Sequence, residues 1–174
     1  SKLFQGTNYY AGEIGHTIVN PNGKKCECGK YGCLQTYCSE TWLLKYCRLL
    51  YESNADTILP SLKPCADALT IEDISNAFSL GDTLVGNYIS TALKYLGITV
   101  SNLAIITNPD KIYLHGNLFS NTEIKEELMD YITKQLLFVD DPSDQTVQIL
   151  DYDTYAGASG AAAYAIKHFY ISNI

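Results

Sequence analysis

The chain has 174 residues and a formal charge of −7, with 47 % apolar residues against 18 % charged ones. That length holds one ordinary domain or two small lobes, and that balance excludes a disordered chain. A surface this acidic repels phosphate, which excludes DNA or RNA binding by this chain alone.

No apolar run approaches the roughly 20 residues that span a bilayer, and Ser1 opens no signal peptide. The expectation is a cytoplasmic protein with no membrane partner. Ser1 to Tyr10 reads as the tail of something that starts earlier. Glu13 to Asn20 (EIGHTIVN) alternates well enough to predict a strand. Asn20 to Lys30 is a loop of breakers, charges and cysteines. Thr36 to Glu52 is helical, with Trp42, Leu43, Tyr46, Cys47, Leu49 and Leu50 at three- and four-residue steps. Asn54 to Leu69, with Pro60 and Pro64, is a connection. Thr70 with Asp73 makes a capping-box pattern for a short helix that Gly81 ends. Asp82 starts a longer helix towards Ile106, with Leu84, Tyr88, Ala92, Leu96 and Leu103 as its inner stripe and Asn108-Pro109 as its stop. Lys111 to His115 is a short strand, Asn121 to Leu137 a helix, Asp140 to Asp144 an acidic turn and Thr146 to Asp151 another strand. From Gly157 a small-residue helix follows, whose face suits close packing on a sheet. The alternation after residue 80 predicts an α/β layered domain with parallel strands, a single unit over residues 1–174.

Three of the six cysteines crowd between Cys26 and Cys33, and His16 precedes them in the spacing H-x9-C-x-C-x4-C. In a reducing compartment such crowding points to metal before disulfide. His16, Cys26, Cys28 and Cys33 suit tetrahedral zinc, in a loop spanning residues 16–33. They fill all four positions and leave none for water, so the zinc is expected to be structural. Cys38, Cys47 and Cys65 do not continue the spacing, and Cys38 and Cys47 read as small buried apolar groups. Lys24, Lys25 and Lys30 read as solvated charge. Of the 14 tyrosines, Tyr9, Tyr10, Tyr31 and Tyr37 lie around the loop, where they could stack on a ligand's C–H face, meet a subunit or fill half-buried surface.

AGEIGH at Ala11 to His16 and CECGKYGC at Cys26 to Cys33 resemble the signature of the ROK family, which groups bacterial sugar kinases with repressors of sugar operons. The family pattern is GExGH, then CxCGxxGCxE; only the last position differs, where Gln35 replaces glutamate. NPDKIYLHGNLF at Asn108 to Phe119 is similar to the family segment NPxxIxLGGG, and GASGAAAYA at Gly157 to Ala165 to its closing helix. The resemblance implies a ribonuclease-H-like, actin-like ATPase fold, of which this chain is the C-terminal lobe with an inserted zinc loop. The family's DxGxT phosphate loop and catalytic aspartate belong to an N-terminal lobe, so no catalytic residue is expected here.

The resemblance also implies that Glu13, His16 and the residue at Gln35 touch a sugar. Taken alone, Glu13 is more readily an ordinary surface carboxylate. Gln35 is neutral and offers one acceptor oxygen instead of two. Of the family's glycine run near the nucleotide only Gly116 stands, between His115 and Asn117. Both departures favour a repressor over a kinase. The expectation is the sugar-sensing, oligomerising domain of a ROK-type transcriptional repressor, responding to a sugar or sugar-phosphate effector and touching DNA only through a further N-terminal domain. The alternative is the C-terminal lobe of an ATP-dependent hexose kinase, and a third reading is an assembly module without a ligand.

Overall fold

The computed structural model describes residues 3–136 and 147–171. The predicted acidic turn at Asp140–Asp144 lies outside them. In order come α1 (Gln35–Cys38), α2 (Glu40–Glu52), α3 (Leu59–Leu62), α4 (Ile71–Ser79), α5 (Thr83–Thr107), β1 (Ile112–Leu114), α6 (Thr122–Gln135), β2 (Val147–Ile149) and α7 (Ala156–Ile166).

The long helix α5 organises the rest. Asp82 caps it, its side chain accepting from the Leu84 and Val85 amides at 3.0 Å each. Asn108 ends it in the left-handed region at φ 40°, just before Pro109, which cannot follow a helical residue comfortably. Ahead of it, Thr70 and Asp73 form the predicted reciprocal capping box on α4.

On α6, Ile124, Leu128 and Ile132 recur every fourth residue, are buried, and form one stripe in the core that includes α5. Each contributes about 1.5–3 kcal/mol of burial. The two helices cross closely at Gly97, where an added Cβ would stand 2.9 Å from Tyr131 Cβ. Leu43 and Cys47 of α2, Leu59 of α3 and Ile71, Ile74 and Ala77 of α4 belong to the same core, as do Leu118, Phe119 and Val147. By length and composition α5 could cross a membrane, contrary to the expectation from sequence; its buried residues instead form part of this core.

β1 and β2 pair in parallel, Ile112 opposite Val147 and Leu114 opposite Ile149, with α6 in the connection between them. The predicted α/β order after residue 80 is therefore present.

Four expectations are corrected. Glu13 to Asn20 is not a strand: Ile14–His16 is a turn of 3-10 helix, closed by the Thr17 amide on Ile14 O at 3.0 Å, and only Ile18 makes a bridge, to Cys33. The helix over 36–52 is two helices. Ser39 between them is extended, with ψ 145°, and caps α2 through the Trp42 amide. The inner stripe of α5 holds at Tyr88 and Ala92, which are buried, but not at its ends: Leu84 and Leu96 are only half-buried and Leu103 is exposed, while Val85 and Ala104 are buried. Finally, α7 buries no residue, and an added Cβ at Gly157 or Gly160 would meet nothing within 4 Å. Among the described residues, its small side chains meet no close packing partner.

Candidate metal centre and the neighbouring cleft

The ligand-bearing loop is shaped by turns that need glycine. The Cys26–Gly29 turn closes by the Gly29 amide on Cys26 O at 3.0 Å, with Gly29 at φ +87°. Gly32, at φ +70°, lies against Asn20: its carbonyl accepts from the Val19 amide at 2.9 Å and its amide donates to Lys24 O at 2.8 Å. A Cβ there would fall 1.6 Å from Asn20 O, so only glycine fits.

These turns bring His16, Cys26, Cys28 and Cys33 together, with one ligand atom from each within 4.8 Å of all the others. Cys26 Sγ lies 3.6 Å from His16 Nδ1, and Cys28 Sγ lies 3.5 Å from Cys33 Sγ. Around a tetrahedral zinc with bonds of about 2.0–2.3 Å, ligand atoms stand about 3.3–3.8 Å apart. The sulfurs are too far apart for a disulfide, and all six cysteines are free. The donor set and its spacing fit one tetrahedral divalent ion.

Cys26 and Cys33 are buried and Cys28 is exposed. Burial, then the neighbouring thiols, push Cys33 up to about 11. The Lys30 backbone amide, more than any other influence, draws Cys28 below the usual thiol range. A divalent ion bound among the sulfurs would hold all three as thiolates. Away from the cluster, burial pushes Cys38 and Cys47 up to about 12, which keeps both as neutral thiols. Cys47 is buried as expected, whereas Cys38 is only half-buried.

Since Nδ1 of His16 faces Cys26, Nε2 faces outward, 3.9 Å from Glu13 Oε2. Glu13 is mostly exposed, with 67 % of its side chain accessible, so its carboxylate can accept from an incoming ligand. Gln35 donates from Nε2 to Glu27 Oε1 at 2.8 Å. A glutamate at 35 could not make that bond and would face Glu27 as a second carboxylate.

Beside the loop lies a cleft of about 340 Å³, lined by Gly15, Gln35, Glu40, Leu96, His115 and Gly116 among others. It unites Gln35 with Gly116, while Glu13 and His16 do not line it. Gly116 is extended at φ 169°, and an added Cβ would meet the Phe119 ring at 3.6 Å, an ordinary contact. Glycine is thus not required there for shape. His115 Nε2 accepts from the Asp153 amide at 2.9 Å, and its ring stacks on Tyr152. Most of the cleft lining carries no site signal in the sequence, Cys38 and Glu40 among it. Glu40 accepts from the Asn117 amide at 3.1 Å. Nothing in the sequence alone pairs positions 40 and 117, which are joined only by tertiary structure.

The family model of the ROK family matches residues 1–168. The chain belongs to the ROK family. This ROK chain is 32 % identical over 117 residues to the DNA-binding transcriptional dual regulator NagC of Escherichia coli, covering 67 % of this chain and 28 % of NagC. It is also 32 % identical over 117 residues to a glucokinase of Halalkalibacterium halodurans, covering 67 % of this chain and 36 % of that enzyme. Among solved structures it resembles a ROK family glucokinase from Streptomyces griseus, determined with glucose and AMPPNP. There the TM-score is 0.65 at 25 % identity, over 88 % of this chain and 51 % of that one. The ROK chain therefore shares a mixed helix-and-sheet fold with ROK sugar kinases, and spans roughly a third of the two curated relatives. Repressors and kinases both stand among its relatives.

Proposed function

We propose that this chain is the sugar-sensing and oligomerising domain of a ROK-type transcriptional repressor, braced by a structural zinc. The observation that carries the choice of repressor is the bond from Gln35 to Glu27. It fixes a neutral amide where the family pattern has glutamate, and so removes from the cleft a carboxylate a kinase would use. His115 supports the same reading: it occupies the glycine run and is engaged by Asp153 and Tyr152.

His16 through Nδ1, with Cys26, Cys28 and Cys33, would hold the zinc. Bound there, the ion supplies cross-linking of the loop and fixes the thiols as thiolates. The chain's own groups do the recognition. Glu13 accepts sugar hydroxyl hydrogens, and His16 Nε2–H is a donor in a fixed direction. Gln35 contributes one donor or acceptor from the cleft side. Sugar binding then biases the placement of a neighbouring lobe and, through it, DNA-binding elements outside this chain. Residues 1–174 act as one unit in a cytoplasmic homo-oligomer, a reading supported by the exposed Tyr9, Tyr10 and Tyr31.

The alternative, one lobe of an ATP-dependent hexose kinase, is favoured by the likeness to glucokinases. The full-length protein decides. Titration with hexoses, N-acetylhexosamines and pentoses should release it from operator DNA at one sugar class, with no sugar-dependent ADP production. Sugar-dependent ADP production would establish the kinase reading instead.

A further inference from the structure

Lys24 is not the solvated charge its neighbours Lys25 and Lys30 suggest. Its Nζ lies 4.5 Å from the ring centre of Tyr88, 5.2 Å from Tyr46, 5.7 Å from Trp42 and 5.9 Å from Tyr37. It also donates to Tyr88 Oη at 2.9 Å. All four rings fall within the range at which an ammonium is drawn to an aromatic face. They come from three helices, α1, α2 and α5, and Tyr46 and Tyr88 stack at 3.8 Å with their planes 13° apart. Among the described residues no carboxylate ion-pairs with Lys24. The nearby cation Lys45 sits over Trp42 at 4.6 Å. An ammonium placed among rings without a counter-ion is held by those rings.

The backbone of Lys24 faces the other way. Its carbonyl accepts from the Gly32 amide at 2.8 Å, beside Cys33, and Cys26 lies two residues on. A second tie runs in parallel, from Asn20 Nδ2 to Tyr37 Oη at 3.0 Å. The segment from Asn20 to Lys24 is thus a strap, with aromatic rings on one side and the cysteine loop on the other.

We propose that Tyr37, Trp42, Tyr46 and Tyr88 form a cation site filled in cis by Lys24, and that this ammonium is the positioning residue that fastens the ligand loop to the helical body. The proposal rests on the metal reading for its consequence, which is slower loss of the ion, and on the cage alone for its geometry. The ammonium is what matters: an unbranched side chain of similar reach without it leaves the rings facing an apolar stem and forfeits both the attraction and the bond to Tyr88 Oη.

The test compares wild type with Lys24→Met and Lys24→Arg, using two readouts. One is the rate of zinc release to excess chelator; the other is hydrogen exchange of the Gly32 amide in chelated protein. Lys24→Met should accelerate both about tenfold, the scale of one partly desolvated cation–π contact. Lys24→Arg, which keeps the charge and stacks on rings, should stay within about threefold of wild type. Equal rates in wild type and Lys24→Met, or an arginine variant as impaired as the methionine one, overturns the latch. Wild type purified with zinc but carrying none overturns the metal reading instead, and the Gly32 exchange still decides the latch.

Discussion

Gly32 and Gly29 are both left-handed glycines of one short loop, but only one is crowded. An alanine at either pays for the left-handed conformation, about 1–2 kcal/mol. At Gly29 nothing lies within 4 Å of the new Cβ, so the loss should stop there. At Gly32 the new Cβ would stand 1.6 Å from Asn20 O, a backbone atom that cannot rotate aside. Relief requires the Asn20 segment to move away. That breaks the bonds from the Val19 and Asn20 amides to Gly32 O, at 2.9 and 3.3 Å, and from the Gly32 amide to Lys24 O. Three bonds at about 0.5–1.5 kcal/mol each add about 2–4 kcal/mol. Gly32→Ala should therefore destabilise by about 3–6 kcal/mol, and Gly29→Ala by about 1–2. Urea midpoints at constant slope measure the pair. Equal losses for the two variants would refute the reasoning, since strain alone would then account for both.

Chelation with excess chelator should lower the melting temperature by about 10 °C, as expected if zinc is present at about a thousand times its dissociation constant; calorimetry with and without zinc reads it. Asp82 offers a pH prediction. Burial works to raise its carboxyl, but bonds from Thr57, Val85, Ile58 and Leu84 outweigh it and hold the group below the usual carboxylate range. A depressed carboxyl stabilises above the unfolded value of about 3.9, and that gain is lost as pH falls through the folded value. Asp82→Ala should cost about 2–4 kcal/mol at pH 7, through the lost cap and the stranded Thr57 and Ile58 donors. Denaturation from pH 7 down to pH 2 should show the gap to wild type narrowing below about pH 4. Gln35→Glu should give no gain in sugar affinity until Glu27→Gln is added, because Glu27 opposes a second carboxylate; calorimetric titration of the single and double variants checks this.

Where a local rule decides the structure, the sequence is legible. Thr70 with Asp73, and Asp82, mark helix starts through side chains that satisfy neighbouring backbone groups, and Asn108 before Pro109 marks an end through its left-handed backbone; the structure has ends at each. The cysteine spacing is legible for the same reason, since a short loop leaves few ways to arrange four ligands. The phase of α5 is legible at Tyr88 and Ala92, which are buried, but not at its ends. Leu84 and Val85 are adjacent and both apolar, so either could face inward until the packing of α4 and α6 chooses between them. EIGHTIVN alternates like a strand, but strands need partners, and a short turn satisfies Ile14 and Glu13 locally. The aromatic cage was half visible: Trp42 and Tyr46 share a helix face by spacing, while Tyr88 and Lys24 join them only through the tertiary fold.

The strap has a further consequence for the order of events in folding. Lys24 and Tyr88 are 64 residues apart and Thr36 and Tyr88 are 52 apart, whereas α4 closes on itself within a few residues. Closing so long a chain segment is entropically expensive before its target exists. The cysteine loop should therefore settle late, onto a helical body already assembled around α5. In stopped-flow refolding, far-ultraviolet circular dichroism should recover before the fluorescence of Trp42, the one tryptophan of the chain, which sits in the cage where the strap lands.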